Sequence, residues 1–240
     1  MLYTEMQSLP NECNHVWNAR AEQQEAVAVI AHEFRRLLAV ITACSDNLRC
    51  SLGDIPDSTK SRINRITFSA RHMSMLIENI LAEDRLRGEG VQFARVEAVK
   101  IKTVFEAVNA SLEDVAAARV RLVSSDAVVN GDRILLEVAL QNLIQNALKY
   151  SPSTSPVIVV ARNDRSAIYI DVTDFGSGIP PSYSELIFNK YYRLSNRNGS
   201  GLGLYISRKI ARRHGGDVIL STSDASGSTF CLRLPLGSMA

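Results

Sequence analysis

The chain has 240 residues with 27 basic and 25 acidic side chains, so its formal net charge at pH 7 is only +2. Hydrophobic residues make up 46% and charged residues 22%, which predicts a substantial core and a water-facing surface. The small net charge argues against a nucleic-acid partner, and no apolar run approaches the roughly 20 residues that span a bilayer. Residues 1–20 lack a signal-peptide pattern and the four cysteines lack metal-ligand spacing, so we expect reduced thiols in a cytoplasmic protein.

Two long helices are predicted in the first third of the sequence. Residues 21–50 contain no Gly or Pro, and their apolar side chains recur at alternating steps of three and four, as in a coiled-coil seam. The members of this first seam are Val27, Ile30, Phe34, Leu37, Ile41, Cys44 and Leu48. Gly53 and Pro56 interrupt the helix, and Asp57 or Ser58 can cap a second one. The seam of the second helix comprises Ile63, Ile66, Ala70, Met73, Ile77 and Ile80. Such narrow seams bury little in one hairpin, so we expect two copies to form a dimeric four-helix bundle.

One histidine, His32, falls between two seam positions of the first helix. Its side chain is therefore predicted to point to solvent. Glu33 is its neighbour and can orient the imidazole or accept its proton. An exposed helical histidine usually has no function, and His15, His72 and His214 are interpreted in that way. His32 is set apart only by the motifs downstream of it in the sequence.

Residues 91–237 alternate between helical and strand patterns, which predicts an α+β domain with helices on one face of a mixed sheet. Helices are predicted over 101–118, 133–150 and 202–214, with Gly131 and Asp132 capping the second of these. Strands are predicted over 120–123, 127–129, 157–161, 167–174, 218–221 and 229–234. The glycines at 88 and 90 indicate a linker. We expect a lead or linker over 1–20, a helical hairpin over 21–87 and a second domain over 91–237.

A polar face is predicted on the helix over 133–150. Asn142, Asn146 and Lys149 lie three and four residues apart, so they share one side of the helix. An Asn amide oxygen is a hard ligand that suits Mg²⁺, and an ammonium suits phosphate. The alternative is a polar face that merely contacts water.

The first of two glycine-rich segments begins with Asp174, which follows a predicted strand and precedes Gly176 and Gly178. A carboxylate there can accept a hydrogen bond from an exocyclic amine such as that of adenine. The glycines allow the backbone to approach a ring closely. The same pattern is also common in ordinary turns.

The second glycine-rich segment opens the helix over 202–214 with Gly199, Gly201, Leu202 and Gly203. Free backbone N–H groups and the helix dipole favour phosphate at such a helix start. The stretch between the two segments carries Lys190, Arg193 and Arg197, with Glu185 as its only acid. These features predict a basic cover over a triphosphate, or alternatively an ordinary solvated loop.

Taken together and in this order, the motifs resemble those of sensor histidine kinases. In that family a dimerisation and phosphoacceptor hairpin precedes a Bergerat-type ATP-binding domain. The resemblance covers residues 21–236, and its His-Glu-x-Arg motif matches at His32, Glu33 and Arg35. The Asn motif extends to Tyr150, and residues 187–193 are similar to the Phe box of the family.

The resemblance implies an enzyme of two-component signalling. By this resemblance, His32 would accept the γ-phosphoryl group of ATP and Glu33 would assist as proton acceptor. The phosphoryl group would then pass to an Asp of a response-regulator receiver domain. ATP and Mg²⁺ are the implied cofactors, with Asn146 as the metal ligand and Asn142 beside it. The remaining implied nucleotide contacts are Lys149 and Arg193 on phosphates, Tyr150 near the base, Asp174 on adenine, and the glycine segments at Gly176, Gly178, Gly199, Gly201, Leu202 and Gly203.

The sequence departs from the family pattern after Arg35. The family continues with Thr or Asn and then Pro, whereas this chain has Arg36 and Leu37. The small polar residue is the one implicated in dephosphorylating the response regulator, so the resemblance does not extend to phosphatase activity. Loss of the Pro also removes the usual kink.

Two other function classes stay open. One is a degenerate kinase that only dimerises, and the other is a Bergerat-fold clamp ATPase. The clamp enzymes place a Glu where this chain has Asn142, and an Asn cannot activate water as a base. The motifs do not identify the input signal, the cognate regulator, or whether phosphorylation occurs in cis or in trans. They also leave open whether the chain is full length or the core of a longer membrane receptor.

Overall fold

The structure is a computed structural model that describes residues 11–51, 56–87, 96–112, 114–194 and 199–237. The chain folds into two compact units, with the division between Asp84 and Arg85. The predicted helix break at Gly53, the linker at residues 88–90 and Arg197 lie outside the described residues. Within the described ranges, no helix combines the length and apolar character needed to cross a membrane.

The first unit contains the two predicted helices, α1 (Asn11–Ser51) and α2 (Asp57–Arg87). Helix α1 begins ten residues earlier than predicted, at Asn11 against 21, because the sequence has no Gly or Pro between residues 11 and 52. Two cross-helix ion pairs show that the helices are antiparallel. Arg35 of α1 pairs with Glu78 of α2 at 2.6 Å, and Asp46 pairs with Arg71 at 3.5 Å.

The stripe buried within one hairpin differs from the predicted seam. Side chains of several sizes fill it, and among them are Ala31, Leu38, Ser45, Ile63 and Ala70. The larger seam residues Ile30, Phe34, Leu37, Ile41 and Leu48 of α1 remain 40–55% exposed. Most of the predicted α1 seam therefore lies on the outside of a single chain. Only Ile63 and Ala70 of the predicted α2 seam are buried.

The second unit is an α+β sandwich, as predicted. Its helices are α3 (Ile101–Ser111), α4 (Asp114–Ala117), α5 (Arg133–Tyr150) and α6 (Gly203–Arg213). Its strands are β1 (Glu97–Lys100), β2 (Val120–Val123), β3 (Val128–Gly131), β4 (Val157–Asn163), β5 (Ala167–Asp174), β6 (Asp217–Asp224) and β7 (Gly227–Pro235). Short 3-10 turns occupy Pro181–Tyr183 and Leu186–Phe188.

Five strands form one mixed sheet in the order β2-β4-β5-β7-β6, and β1 pairs with β3 in a separate two-stranded sheet. Strand β2 is parallel to β4, and the other neighbours in the large sheet are antiparallel. Alternate residues of β5, such as Ile168, Ile170 and Val172, are fully buried. They share a core with Leu140 and Leu143 of α5. This packing fixes α5 against the sheet and thereby positions its polar face.

Two local predictions in this unit are wrong. The helix predicted over 101–118 ends at Ser111, because the Ser111 hydroxyl bonds back to the Val108 carbonyl at 2.7 Å and Leu112 is extended. Strand β1 is absent from the sequence prediction, since its four residues lack an alternating pattern. Pairing with β3 and burial of Val99 in the core hold it in place. In contrast, α5, β2 and β5 have the predicted bounds.

Candidate functional site

The start of helix α5 is fixed by two residues. The Asp132 carboxylate accepts hydrogen bonds from the backbone N–H groups of Ile134 at 2.9 Å and Leu135 at 3.2 Å, which confirms the predicted cap. The Asp132 backbone N–H donates to His214 Nε2 at 3.0 Å. Because that nitrogen accepts, the ring proton lies on Nδ1, which is 2.8 Å from the Ile210 carbonyl. His214 thus ties the end of α6 to the start of α5.

The polar face of α5 runs along the second half of the helix. Asn142 is buried, with 5% of its surface exposed. Asn146, Lys149 and Tyr150 are half-buried. The Lys149 ammonium lies 4.7 Å from the centre of the Tyr150 ring. The face is therefore partly covered by protein, most completely at Asn142.

Asp174 ends strand β5 and is 4% exposed. Burial raises the pKa of its carboxyl group, and hydrogen bonds from the backbone N–H groups of Gly176 and Ser228 act in the opposite direction. The Gly176 bond is 2.8 Å long and reaches Oδ1. A carboxylate held by these two backbone N–H groups still has lone pairs that can accept a further hydrogen bond.

The three polar motifs meet in space. A Cβ atom on Gly176 would lie 2.5 Å from the Tyr150 carbonyl oxygen, and one on Gly199 would lie 2.6 Å from Lys149 Nζ. Likewise, a Cβ on Gly203 would lie 3.4 Å from Asn142 Oδ1. The end of α5 therefore adjoins the segment after β5 on one side and the start of α6 on the other. Glycine is required at position 176, where a Cβ would collide with backbone, whereas a Cβ on Gly199 would meet the flexible end of Lys149 and one on Gly203 would make an ordinary contact.

The loop before α6 is held by backbone contacts. Gly201 has a φ of 71°, and a Cβ there would lie 2.6 Å from the carbonyl carbon of Tyr191. Tyr191 itself has a φ of 66° and donates its N–H to the Gly201 carbonyl at 3.0 Å. Arg193 Nη1 donates to the Gly199 carbonyl at 3.0 Å. Leu202 is buried, so it anchors the N-terminus of α6 beside the α5 face.

The surroundings of the first glycine segment include residues that sequence reasoning missed. Gly227 packs against the Asp174 carbonyl at a φ of 141°, and Ser228 donates a backbone hydrogen bond to Asp174. Gly178, with a φ of 71°, packs in the same way on the backbone of Asp224. These partners come from the turn between β6 and β7. Its Asp and Gly residues signal a hairpin but give no sign that it abuts the end of β5.

On helix α1, the predicted exposure of His32 is confirmed, since 74% of its side chain is accessible. His32 Nδ1 lies 3.8 Å from Glu33 Oε1, so the carboxylate is placed beside the imidazole as expected. Arg35 is turned to α2 and forms two hydrogen bonds with Glu78, at 2.6 and 3.1 Å. Arg36 Nε lies 3.9 Å from Glu33 Oε2 on the exposed side.

Comparison with known proteins agrees with both parts of the chain. Residues 131–238 match the sequence model of the family described as histidine kinase-, DNA gyrase B- and HSP90-like ATPase. The sensor-like histidine kinase SenX3 of Mycolicibacterium smegmatis is 30% identical over 226 residues, which cover 90% of this chain and 58% of SenX3. The chain spans about half the length of the curated relatives it matches, at 58% and 54% for two of them.

Two solved structures extend the comparison. A mycobacterial sensor histidine kinase, MprB, is 30% identical with a TM-score of 0.52, over 60% of this chain and 99% of that chain. Full-length ShkA in complex with AMPPNP is 22% identical with a TM-score of 0.61, over 90% of this chain and 46% of that chain. The likeness to ShkA shows the fold, and it spans the helical part as well as the sheet domain.

Proposed function

Because the chain belongs to the sensor histidine kinase family, we propose that it phosphorylates His32 from ATP and passes the phosphoryl group to an Asp of a response-regulator receiver domain. The observation that carries this proposal is that three polar side chains, the buried Asn142 and Asp174 and the half-buried Lys149, each lie against a glycine of the two glycine-rich segments. That enclosure accompanies an exposed imidazole with a carboxylate beside it.

The pocket chemistry fits a nucleoside triphosphate. Asp174 accepts a hydrogen bond from the exocyclic amine of adenine, and Tyr150 packs near the base. Lys149 and Arg193 contact phosphates, as do the N–H groups of the loop at Gly199, Gly201, Leu202 and Gly203. Gly176 and Gly178 let the backbone approach the ring.

A magnesium ion fits the donor set beside this pocket. The described residues contain no cluster of three His, Cys, Asp or Glu side chains, so this part of the chain offers no closed metal cage. Mg²⁺ is usually held by one or two protein oxygens together with substrate phosphates and water. Asn146 would supply one amide oxygen, with Asn142 beside it. An ion held there would neutralise charge on the nucleotide phosphates.

The transfer itself depends on His32 and Glu33. Nδ1 faces Glu33 at 3.8 Å, which leaves Nε2 as the outward nitrogen. Nε2 attacks the γ-phosphorus, the bond between that phosphorus and the ADP oxygen breaks, and ADP leaves with the electron pair. The Nδ1 proton of the resulting imidazolium passes to Glu33. Positioning dominates the catalysis of such loose phosphoryl transfers.

A homodimer is part of the proposal. The exposed seam on α1 and α2 is the surface that a second hairpin would cover, closing a four-helix bundle. The proposed domain limits are 21–87 for the hairpin and 91–237 for the ATP-binding domain, after a lead over 1–20. A cytoplasmic location and a response-regulator partner follow from the same assignment. A clamp ATPase is disfavoured because Asn142 cannot serve as its catalytic base.

The test is transfer of label from γ-labelled ATP to an acid-labile, base-stable site. We expect wild type to be labelled and His32→Ala to be unlabelled, with both proteins binding a fluorescent ATP analogue equally. His72→Ala is the matched control, since it removes another hairpin imidazole, one that stacks on Phe68. Label on the His32→Ala protein would contradict the assignment. A wild type that binds nucleotide but takes up no label would favour the degenerate, dimerising module.

A further inference from the structure

Two consecutive arginines beside His32 have different surroundings. The Arg35 guanidinium makes two hydrogen bonds with Glu78 of α2, at 2.6 and 3.1 Å. This bidentate geometry uses the planar fork of the guanidinium and fixes α1 against α2. The Arg35 side chain is therefore bound to α2 and is directed away from the exposed side of α1.

Arg36 lies on the exposed side. Residues 32 and 36 are separated by four positions, so their Cβ atoms are about 6 Å apart on one helix face. The Arg36 side chain is 70% exposed, and its contact with Glu33 is a long one of 3.9 Å. Exposed pairs of this kind are weak and exchange readily for a better anion. Arg36 thus provides an exposed cation on the same helix face as the acceptor imidazole.

Glu33 lies between the imidazole and the guanidinium. One of its oxygens is 3.8 Å from His32 Nδ1, and the other is 3.9 Å from Arg36 Nε. When the Nδ1 proton passes to Glu33, the carboxylate loses its charge and its hold on Arg36 weakens. At the same moment a phosphoryl group with two negative charges arrives on Nε2. The strongest anion near Arg36 then changes from Glu33 to the phosphoryl group.

We propose that Arg36 binds the phosphoryl group on His32, as a phosphate-contacting residue during and after transfer. The inference rests on the proposed function, which makes ATP the donor of the phosphoryl group. The bond changes are those already given: Nε2 gains phosphorus, ADP leaves with the electron pair and Glu33 takes the proton. Arg36 donates hydrogen bonds to the phosphoryl oxygens and exchanges no proton. A guanidinium suits this task because it stays charged and presents several N–H groups to one phosphate.

The kinetic test compares Arg36→Gln, Arg36→Lys and a matched control, Arg65→Gln. Arg65 is an exposed arginine of α2, beyond Arg71 and so toward the other end of the hairpin from His32. We expect Arg36→Gln to lower the maximal labelling rate about tenfold. This is the effect of removing one hydrogen-bond donor from the charge that develops on the phosphoryl group at an exposed site. KM for ATP should stay unchanged, Arg36→Lys should retain part of the rate, and Arg65→Gln should match wild type. Equal rates for Arg36→Gln and wild type would overturn the proposal.

A second measurement does not depend on the ATP pocket. Potassium phosphoramidate phosphorylates exposed imidazoles directly, and the phosphorus resonance of phospho-His32 can be assigned by its absence in His32→Ala. A nearby guanidinium favours the dianionic phosphoryl group, so Arg36→Gln should move its titration midpoint up by about half a pH unit. An unchanged midpoint would refute contact with Arg36. If ATP gives no label while the midpoint does move, the proposed function fails and this inference survives.

Discussion

Replacing Ile66 by Asp should dissociate the homodimer. Ile66 is 51% exposed in the single chain, so a partner can cover about half of its side chain, a burial worth about 1 kcal/mol per copy. An unpaired carboxylate in that interface costs about 2 kcal/mol more per copy. A two-fold interface contains each change twice, which gives a total of about 6 kcal/mol. That free energy corresponds to a loss of affinity of about ten-thousand-fold.

The assay is light scattering with size-exclusion chromatography at micromolar concentrations of the full chain. Asn64→Asp is the matched control, because it adds the same charge at an exposed α2 position outside the apolar series. We expect wild type and Asn64→Asp to elute as dimers and Ile66→Asp as a monomer with unchanged helix content. A monomeric wild type, or a dimeric Ile66→Asp protein, would refute the assignment of the exposed seam to the dimer.

Three further predictions concern single residues. Asp174→Asn should raise the melting temperature of the nucleotide-free protein at neutral pH, since burial raises the pKa of Asp174 and its charge then opposes folding. That gain in melting temperature should shrink as the pH falls, because the wild-type carboxyl group then becomes protonated. Asp174→Asn should also lose the increase in melting temperature that ATP gives the wild type. Gly201→Ala should lower the free energy of unfolding in urea by about 2 kcal/mol, because the φ is 71° and Tyr191 leaves no room. Gly215→Ala, at a φ of 75° but with only an ordinary contact to Pro235, should cost less. Arg36→Thr should speed loss of phosphate from a phosphorylated regulator in the presence of ADP, because a guanidinium cannot accept a proton from water.

Each of these has a result that would contradict it. For Asp174, the contrary outcome is an undiminished melting shift with ATP, which would remove the carboxylate from the adenine site. For Gly201, equal losses in the two glycine variants would mean that the contact with Tyr191 contributes nothing. For Arg36, rapid dephosphorylation by the wild type would mean that another residue positions the attacking water.

The helix and strand bounds that sequence predicts best are those set by local signals. Helix α5 begins after a capping Asp132 and keeps a helical period to Tyr150, and β5 alternates up to Asp174. Strand β1 has no such local signal, and it forms by pairing with β3 and by burying Val99 in the core. The break after Ser111 comes from a side-chain hydrogen bond that competes with the helix, which periodicity does not register.

The candidate site likewise has features that local sequence signals predict and features that they do not. Spacing alone places Asn142, Asn146 and Lys149 on one helix face, because helix geometry is regular. The enclosure of Asp174 by Gly227 and Ser228 depends on where the turn between β6 and β7 reaches, which is a property of the whole sheet. The hairpin gives a third case: the apolar period identifies a seam on each helix but does not show which stripe is buried within one chain.

The most direct test of the central claim is mass spectrometry of the protein after incubation with Mg-ATP, under conditions that preserve phosphohistidine. We expect one added phosphoryl group, located on His32, with no phosphate on His72 or His214. Phosphate on a different residue would contradict the assignment of His32 as the acceptor. A protein that binds ATP and stays unmodified would contradict the proposed kinase activity itself.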